Sequence, residues 1–290
     1  MMSGNTVLRN ARAYDVNRIF EIHLSSLEGL DEEDYEWFKA LINTRSKRKK
    51  VIVAEVDGKV VGFVITYKHR HLTYIDSLAV DSGYRGLGIG SLLLDYLEKT
   101  LVKEGVEEVF LSVKDRNLAA LNFYLKRGYS FKGLVALLGA DLRNLDKPNV
   151  DGYRIERGGI NNATKIIKLR PTTWWSTLTE PADKMIYKGY NGGEETILVY
   201  KGRKLRGLAK YLPEDEMIVD YIAISYYKPL EAFKALLAGL ISVGLENGLE
   251  HITIPVDASK EKIIETLVKT GFTVKAIEYM LAKELSSAEL

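Results

Sequence analysis

The sequence predicts an α/β protein that contains two consecutive copies of one fold. Two windows share the order strand, helix, strand, helix, and their matching glycines are separated by 143 or 144 positions. The matching pairs are Gly58 and Gly202, Gly105 and Gly248, and Gly128 and Gly271. A register this constant over about 85 residues indicates an internal duplication rather than the glycine placement that any two α/β units share.

Local signals predict the elements of the first copy. "KVIVAEVDGKVVGFVITYKH" is a strand, an Asp-Gly turn and a second strand, which is typical of a hairpin. Residues 16–27 and 31–43 are predicted helices, and residues 72–80 are a third strand. "NLAALNFYLKRG" is a helix that begins at the N-cap Asn117 and stops at Gly128.

The repeat and a segment rich in Asn, Gly and Asp predict the domain boundaries. We expect a first domain over residues 1–142, a linker over 143–163 and a second domain over 164–290.

Composition limits the classes of function. The 290 residues carry a net charge of +2 and no cysteine, so nucleic acid is not an expected partner and thiolate metal sites are excluded. No apolar run approaches the roughly 20 residues that span a bilayer, so no membrane is expected. The "HRH" triplet at residues 69–71 has no third ligand in view, so no metal is predicted. We expect a cytoplasmic protein.

The stretch "YRGLGIGSLL", residues 84–93, stands between a predicted strand and a predicted helix. Unpaired N–H groups at a helix start attract anions, and glycines let a ligand approach the backbone. The P-loop motif needs a lysine after its last glycine, but Ser91 follows Gly90. The spacing of Gly86, Gly88 and Gly90 also fails the G-x-G-x-x-G dinucleotide pattern. The loop therefore predicts an anion site that is neither of these two.

Arg85, Gly88 and Gly90 fit the arginine-or-glutamine, x, x, glycine, x, glycine pattern. With "LRNARAYDVNRI", "DSLAV" and "LSVKDRNLAALNFYLKRGY" in the right order around it, the segment over about residues 7–142 resembles the GCN5-related N-acetyltransferase (GNAT) superfamily. The resemblance implies two tandem GNAT folds, each a mixed, mostly antiparallel central sheet flanked by helices. It also implies acetyl-CoA as the cofactor and a primary amine as the acceptor.

The resemblance places the coenzyme A site on the strand before the loop, on the loop with its helix start, and on the helix that begins after Asn117. These residues are Leu78, Ala79, Val80, Arg85, Gly86, Leu87, Gly88, Ile89, Gly90, Ser91, Asn117, Ala120 and Tyr124. Asn117 and Tyr124 are seven positions apart, which is two helical turns, so they share a face. A core tyrosine is the alternative for Tyr124, whereas the resemblance makes it the acid that protonates the coenzyme thiolate.

The base that takes the proton from the amine is less sharply indicated. Many N-terminal acetyltransferases of the family carry Glu or His where this chain has Ser112, and a serine cannot serve as that base. Asp76 on the neighbouring strand is the replacement we favour, although it could instead cap a backbone N–H group. Glu21, His23 and Glu28 lie in the first helical region and are weaker candidates.

The second copy lacks the features of the cofactor site. "ISYYKPLEAF" stands in place of the glycine loop, Lys260 in place of Asn117, and Leu267 in place of Tyr124. We therefore expect a degenerate domain that binds no coenzyme A and that completes the acceptor pocket, stabilises the first domain or mediates dimers.

The leading hypothesis is an acetyl-CoA-dependent N-acetyltransferase in which the bound amine attacks directly, with an N-terminal or lysine amine of a protein or peptide as the favoured acceptor. A small-molecule amine is the alternative acceptor. A non-catalytic acyl-CoA sensor or scaffold is the alternative of another class. A homodimer is left open.

Overall fold

The computed structural model describes residues 5–158, 169–174, 179, 195–213 and 216–285. It divides into two compact units. Unit 1 takes its described residues mainly from Met1–Lys132 and Met280–Leu290, and unit 2 takes its own from Gly133–Thr177 and Asn191–Tyr279. Described residues close to both ends of the sequence, from residue 5 and up to residue 285, therefore belong to the same unit.

Unit 1 contains a mixed sheet with helices on both faces. Its strands are β1 (Thr6–Asn10), β2 (Lys49–Val56), β3 (Lys59–His69), β4 (Leu72–Val80), β5 (Glu108–Lys114) and the end of β13 (Thr273–Glu284). Its helices are α1 (Val16–Leu24), α2 (Tyr35–Asn43), α3 (Ile89–Lys103) and α4 (Leu118–Leu125). Strands β1 to β4 pair antiparallel in sequence order, and β4 pairs parallel with β5.

Two neighbouring residues of β3 show how the helices sit on this sheet. Phe63 packs edge-on against Phe38 of α2, with ring centroids 6.3 Å apart. A Cβ atom on Gly62 would instead meet Leu93 of α3 at 3.1 Å. Adjacent strand residues point to opposite faces, so α2 and α3 lie on opposite faces of β3. The absence of a side chain at Gly62 lets α3 approach the sheet closely.

Unit 2 repeats the mixed sheet. Its strands are β6 (Ser130–Asp141, from residue 133), β7 (Tyr153–Gly158), β8 (Arg170–Pro171), β9 (Glu195–Lys201), β10 (Lys204–Pro213), β11 (Met217–Ile224), β12 (His251–Asp257) and the first part of β13. Its helices are α5 (Pro229–Glu246) and α6 (Glu261–Thr270). The described strand pairs are antiparallel except for the parallel pair of β11 and β12.

Both units confirm the predicted fold class: a mixed, mostly antiparallel sheet flanked by helices. The matched glycines also take the same backbone conformation. Gly128 after α4 has φ +84° and Gly271 after α6 has φ +115°, which is the left-handed region that glycine adopts without a Cβ penalty. The predicted Asp57-Gly58 turn joins β2 to β3, with φ +50° and +81°.

Three segments differ from the sequence expectation. Helix α2 begins at Tyr35 rather than at residue 31, because the Asp34 carboxylate accepts the Trp37 N–H at 2.7 Å and caps it there. The predicted linker, residues 143–163, includes β7, which pairs antiparallel with β9. The units divide inside β6 and inside β13, whereas the repeat places the boundaries at residues 142 and 164. Long-range strand pairing decides the division, and local composition does not encode that pairing.

None of the helices that the structure describes is both long enough and apolar enough to cross a membrane. Within the same described ranges, no three His, Asp or Glu side chains are grouped as a metal site.

Candidate functional site

The candidate site of unit 1 lies where β4 and β5 separate. The two strands pair only over residues 72–75 and 108–111. Asp76 forms a bulge, since Ile75 and Ser77 pair with consecutive residues of β3. From there, residues 78–80 of β4 pair with β3 on one side, and their other edge has no described partner strand. An open strand edge presents unpaired N–H and C=O groups to a ligand.

The glycine loop leads from this open edge into α3. Gly86 and Gly88 have φ +75° and +86°, and a Cβ atom on either would meet no protein atom within 4 Å. Helix α3 begins at Ile89, and its N-cap is Gly88, which has no side chain to bond the first N–H groups. Uncapped N–H groups at the start of a 15-residue helix form a site for an anion.

Gly90 lies where β4, the first turn of α3 and α4 meet. A Cβ atom on Gly90 would lie 3.7 Å from both Leu78 and Phe123 and 3.8 Å from Val80. The structure thus brings the strand and loop positions that the sequence predicted for the cofactor next to α4. The side chains of Ala79 and Ile89 are buried in the core, so these two residues offer only backbone groups to a ligand.

Arg85 ties the glycine loop to the end of α1. Its Nε donates to the Val80 carbonyl at 2.9 Å, and its Nη2 donates to the Ser25 carbonyl at 3.2 Å and to Ser26 Oγ at 3.1 Å. The cofactor contact predicted for this arginine stays a prediction, and in the structure its side chain joins the loop to β4 and to the end of α1. Ser25 and Ser26 were missed because nothing in their local sequence indicates an arginine 60 positions away.

Asn117 is the N-cap of α4, as predicted. Its Oδ1 accepts the Ala120 N–H at 3.0 Å. Its Nδ2 lies close against the backbone of Gly29, where a Cβ atom would come within 2.5 Å. Asn117 therefore fixes the start of α4 and also abuts the segment between α1 and α2.

Tyr124 is buried between two aromatic rings. It packs edge-on against Phe123 and Tyr129, with ring centroids 5.1 Å and 5.3 Å away. Burial raises the pKa of its hydroxyl above the usual value, because the phenolate would lose its hydration. Its hydroxyl has no hydrogen-bond partner among the residues described in the structure. A neutral phenol with a free proton can serve as an acid.

Asp76 has the electrostatics of a base that works near neutral pH. Burial raises the pKa of its carboxyl group to about 7, and the negative charge of Asp31 adds to the rise. The Ser77 hydroxyl donates to Asp76 Oδ2 at 3.1 Å, and this hydrogen bond opposes the rise in pKa. Nearby on the two strands, the Tyr74 hydroxyl and Ser112 Oγ lie 3.4 Å apart.

Acidic residues dominate the segment that joins α1 to α2, and we call residues 28–34, "EGLDEED", the acidic segment. Lys114, at the end of β5, pairs with Asp31 at 2.9 Å and donates to the Leu30 carbonyl at 2.8 Å. No local pattern in the sequence indicated Lys114, because its partner is distant in sequence.

The weaker base candidates are placed differently. His23 is buried against Phe38, its Nε2 accepts the Glu33 N–H at 3.3 Å, and burial lowers its pKa. Glu21 is exposed and pairs with Arg18 at 2.8 Å. Neither arrangement is that of a base in the strand gap.

The corresponding gap of unit 2 is filled by the chain itself. Strand β8 pairs with the end of β11, where Ala223 faces Pro171. The Thr172 N–H then donates to the Ile222 carbonyl at 2.9 Å, and the Asp257 N–H donates to the Thr172 carbonyl at 3.3 Å. Residues 170–172 thus bridge β11 and β12 at the position where no described strand joins β4 and β5 in unit 1.

Other positions of the second copy also differ from the candidate site of unit 1. Pro229 begins α5 where unit 1 has the glycine loop and α3. Lys260 stands at the start of α6 without a side-chain cap, and Leu267 is fully buried in the core. A cavity of about 470 Å³ remains beside β8, bordered by Tyr226 and Lys260.

Comparisons with known proteins identify the family of unit 1. The model of the acetyltransferase (GNAT) family matches residues 16–129. An N-alpha-acetyltransferase of Sulfurisphaera tokodaii is 33% identical over 135 residues, which cover 42% of this chain and 78% of that protein. An acetyltransferase of Sodalis glossinidius is 37% identical over 91 residues, 31% of this chain and 64% of that protein.

Among solved structures, a tandem GNAT protein from the clavulanic acid biosynthesis pathway superimposes with a TM-score of 0.74. The match covers 97% of this chain and 99% of that chain at 14% identity. At this identity the likeness concerns the fold alone.

Proposed function

The chain belongs to the acetyltransferase (GNAT) family, whose members transfer acetyl groups to amines, and from this premise we propose that unit 1 takes the group from acetyl-CoA. The favoured acceptor is an N-terminal or lysine amine of a protein or peptide. The observation that supports the cofactor is the open edge at residues 78–80, which leads into a helix start without a cap.

These features fit the chemistry of coenzyme A. The first N–H groups of α3 suit its pyrophosphate, and the N–H groups within residues 78–80 that point away from β3 suit a polarised carbonyl. When bound, acetyl-CoA supplies an activated acetyl group on a thiol leaving group.

In this proposal Asp76 and Tyr124 each carry out one of the two proton transfers. Asp76 accepts a proton from the ammonium group of the acceptor, which leaves the neutral amine as the nucleophile, and a carboxyl pKa of about 7 keeps Asp76 largely ionised at slightly alkaline pH. The Tyr124 hydroxyl donates a proton to the departing sulfur, for which its neutral form is required. The amine attacks directly, with no covalent enzyme intermediate.

The preference for a protein or peptide amine has two supports. One relative is named as an N-alpha-acetyltransferase. Asp31 of the acidic segment pairs with Lys114 at the end of β5, the strand that neighbours β4, and negative charge beside a site attracts cationic acceptors. A small cationic amine is the alternative acceptor that the same charge favours.

Unit 2 is proposed to be the degenerate copy that binds no coenzyme A. Residues 170–172 take up the strand edges that a ligand would otherwise pair with, and no glycine loop precedes α5. A role in stabilising the protein or in assembly is left for this unit.

The test is release of coenzyme A thiol from acetyl-CoA over a panel of peptides, polyamines and small amines. Wild type is expected to turn over at least one acceptor, and Tyr124→Phe is expected to lose about tenfold or more in kcat. Tyr96→Phe, a partly exposed tyrosine on α3, is the matched control and should keep its rate. Tight acetyl-CoA binding without thiol release for any amine would support the sensor alternative instead.

A further inference from the structure

The last strand of the chain contributes to the unit that holds Tyr124. The Leu285 N–H donates to the Glu107 carbonyl at 2.8 Å, and Ser130 Oγ donates to the Ala282 carbonyl at 3.4 Å. Residues 280–285 are therefore anchored in unit 1, although they end the second sequence repeat.

One side chain of this strand joins a polar cluster inside unit 1. Lys283 Nζ donates to Glu98 Oε2 at 2.7 Å, and the Tyr129 hydroxyl donates to Glu98 Oε1 at 3.0 Å. The lysine and glutamate side chains are only 17% and 14% exposed. Water screens such a pair less than a surface pair, and removal of the lysine would leave a partly buried carboxylate without its counter-charge.

The same cluster supports the Tyr124 ring. Tyr129 is buried, its ring centroid lies 5.3 Å from that of Tyr124 at an interplanar angle of 67°, and its N–H donates to the Tyr124 carbonyl at 3.2 Å. A shift of Tyr129 would therefore move the ring on which Tyr124 rests. Lys283 Nζ also lies 5.9 Å from the Tyr129 ring centroid, so the lysine is linked to Tyr129 both through Glu98 and at the ring itself.

We propose that Lys283 is a positioning residue for Tyr124. Its ammonium holds Glu98, Glu98 holds the Tyr129 hydroxyl, and the Tyr129 ring orients Tyr124. The inference rests on the proposed function, in which Tyr124 is the acid. It follows that unit 1 is complete only when the end of the second repeat is present.

The first test compares Lys283→Met with Lys50→Met. Lys50 is a matched control, because it is also a strand lysine that pairs with a glutamate at the end of α3. The distance between Lys50 Nζ and Glu104 Oε1 is 2.6 Å. Lys283→Met is expected to lower kcat about tenfold or more while the KM for acetyl-CoA stays within about twofold, because a misplaced acid slows the chemical step. Lys50→Met should leave both constants within about twofold, and Lys283→Arg should recover most of kcat.

A double mutant separates positioning from general damage. Lys283 acts through the Tyr124 hydroxyl, so Tyr124→Phe combined with Lys283→Met should lose no more kcat than Tyr124→Phe alone. The proposal would be overturned if the two losses in kcat multiplied in the double mutant. It would also be overturned if Lys50→Met lost as much kcat as Lys283→Met. If Lys283→Met does not fold, Lys283→Gln replaces it, since an amide keeps an N–H donor without the charge.

A readout that needs no turnover distinguishes this inference from the proposed function. In protein with ring-labelled tyrosine, the NMR resonances of Tyr124 are assigned through Tyr124→Phe. They are expected to shift in Lys283→Met and to stay in place in Lys50→Met. Unchanged resonances would refute the positioning role. Absence of turnover in wild type with shifted resonances would refute the proposed function while the placement of Tyr124 by Lys283 stands.

Discussion

The guanidinium of Arg85 donates to Ser26 Oγ at 3.1 Å and so fastens the glycine loop to the end of α1. The same side chain also donates to the carbonyls of Val80 and Ser25. Arg85→Ala removes all three contacts, and because Arg85 is exposed to solvent each hydrogen bond contributes only about 0.5–1.5 kcal/mol.

We expect Arg85→Ala to weaken coenzyme A binding about tenfold or more, because the loop before α3 is no longer held in place. Calorimetric titration with coenzyme A measures the dissociation constant. Ser26→Ala, which removes one of the contacts, should have a smaller effect in the same direction. Arg143→Ala removes an exposed arginine of unit 2 and should leave the affinity unchanged. Equal affinities for wild type and Arg85→Ala would contradict the role of this contact.

The pH dependence of the rate should report Asp76. A base must be ionised, so kcat/KM is expected to rise with pH through about 7, where burial has placed the Asp76 pKa. Asp76→Asn should abolish this limb of the profile. Ser77→Ala removes a hydrogen bond that lowers the pKa, so it should move the limb to higher pH. A limb that stays in place in Asp76→Asn would assign the base elsewhere.

The same shift predicts an effect on stability. The pKa of the Asp76 carboxyl is raised on folding, so the folded state binds this proton more tightly than the unfolded state. Its contribution to the free energy of unfolding therefore falls as pH rises from about 4 to about 7 and is constant above that. Asp76→Asn should melt at a higher temperature than wild type at pH 8, and the difference should shrink toward pH 4. Melting curves over this pH range provide the measurement, and a difference that grows at low pH would contradict the assignment.

Two glycines with similar backbone conformation, one in the loop and one in a hairpin, allow a test of where the cofactor binds. Gly88 in the loop and Gly58 in the β2–β3 hairpin have φ +86° and +81°, and neither has a neighbour within 4 Å of its missing Cβ atom. Alanine at either position should cost about 1–2 kcal/mol of stability for the left-handed backbone. Only Gly88→Ala is expected to weaken coenzyme A binding, and wild type should bind one coenzyme A per chain. Two sites per chain would refute the degenerate unit 2.

The acidic segment should matter for cationic acceptors. Asp31 is 79% exposed, so its charge faces solvent as well as Lys114. We expect Asp31→Asn combined with Glu32→Gln to raise the KM for a lysine-rich peptide several-fold and to reduce its dependence on salt. Glu36→Gln, in the exposed pair with Lys39 on α2, is the matched control. An unchanged KM for the charge-depleted variant would exclude this segment from acceptor binding.

Signals within short stretches of sequence predicted much of unit 1. The Asp57-Gly58 turn, the Asn117 cap and the stop at Gly128 follow from residues that are neighbours along the chain. Turn and cap preferences act over a few residues, so a sequence displays them directly. The duplication was visible for the same reason, since the matching glycines repeat at one spacing.

The chemistry of the candidate site needed the three-dimensional arrangement. The sequence named Asp76 as a candidate base, but its raised pKa arises from burial and from the charge of Asp31. The sequence named Arg85 as a cofactor residue, but its anchoring at Ser25 and Ser26 depends on where α1 ends in space. Desolvation and charge proximity are sums over neighbours that are distant along the chain.

The sequence by itself determined the duplicated α/β fold, the glycine loop and which copy retains it, because each is written in residues a few positions apart. Only the tertiary structure decided that residues 170–172 close the gap in unit 2, and that Lys283 reaches Glu98 across 185 positions of sequence. Both result from strands that pair with distant partners. Such pairing depends on matching backbone edges and buried surfaces, which no local pattern specifies.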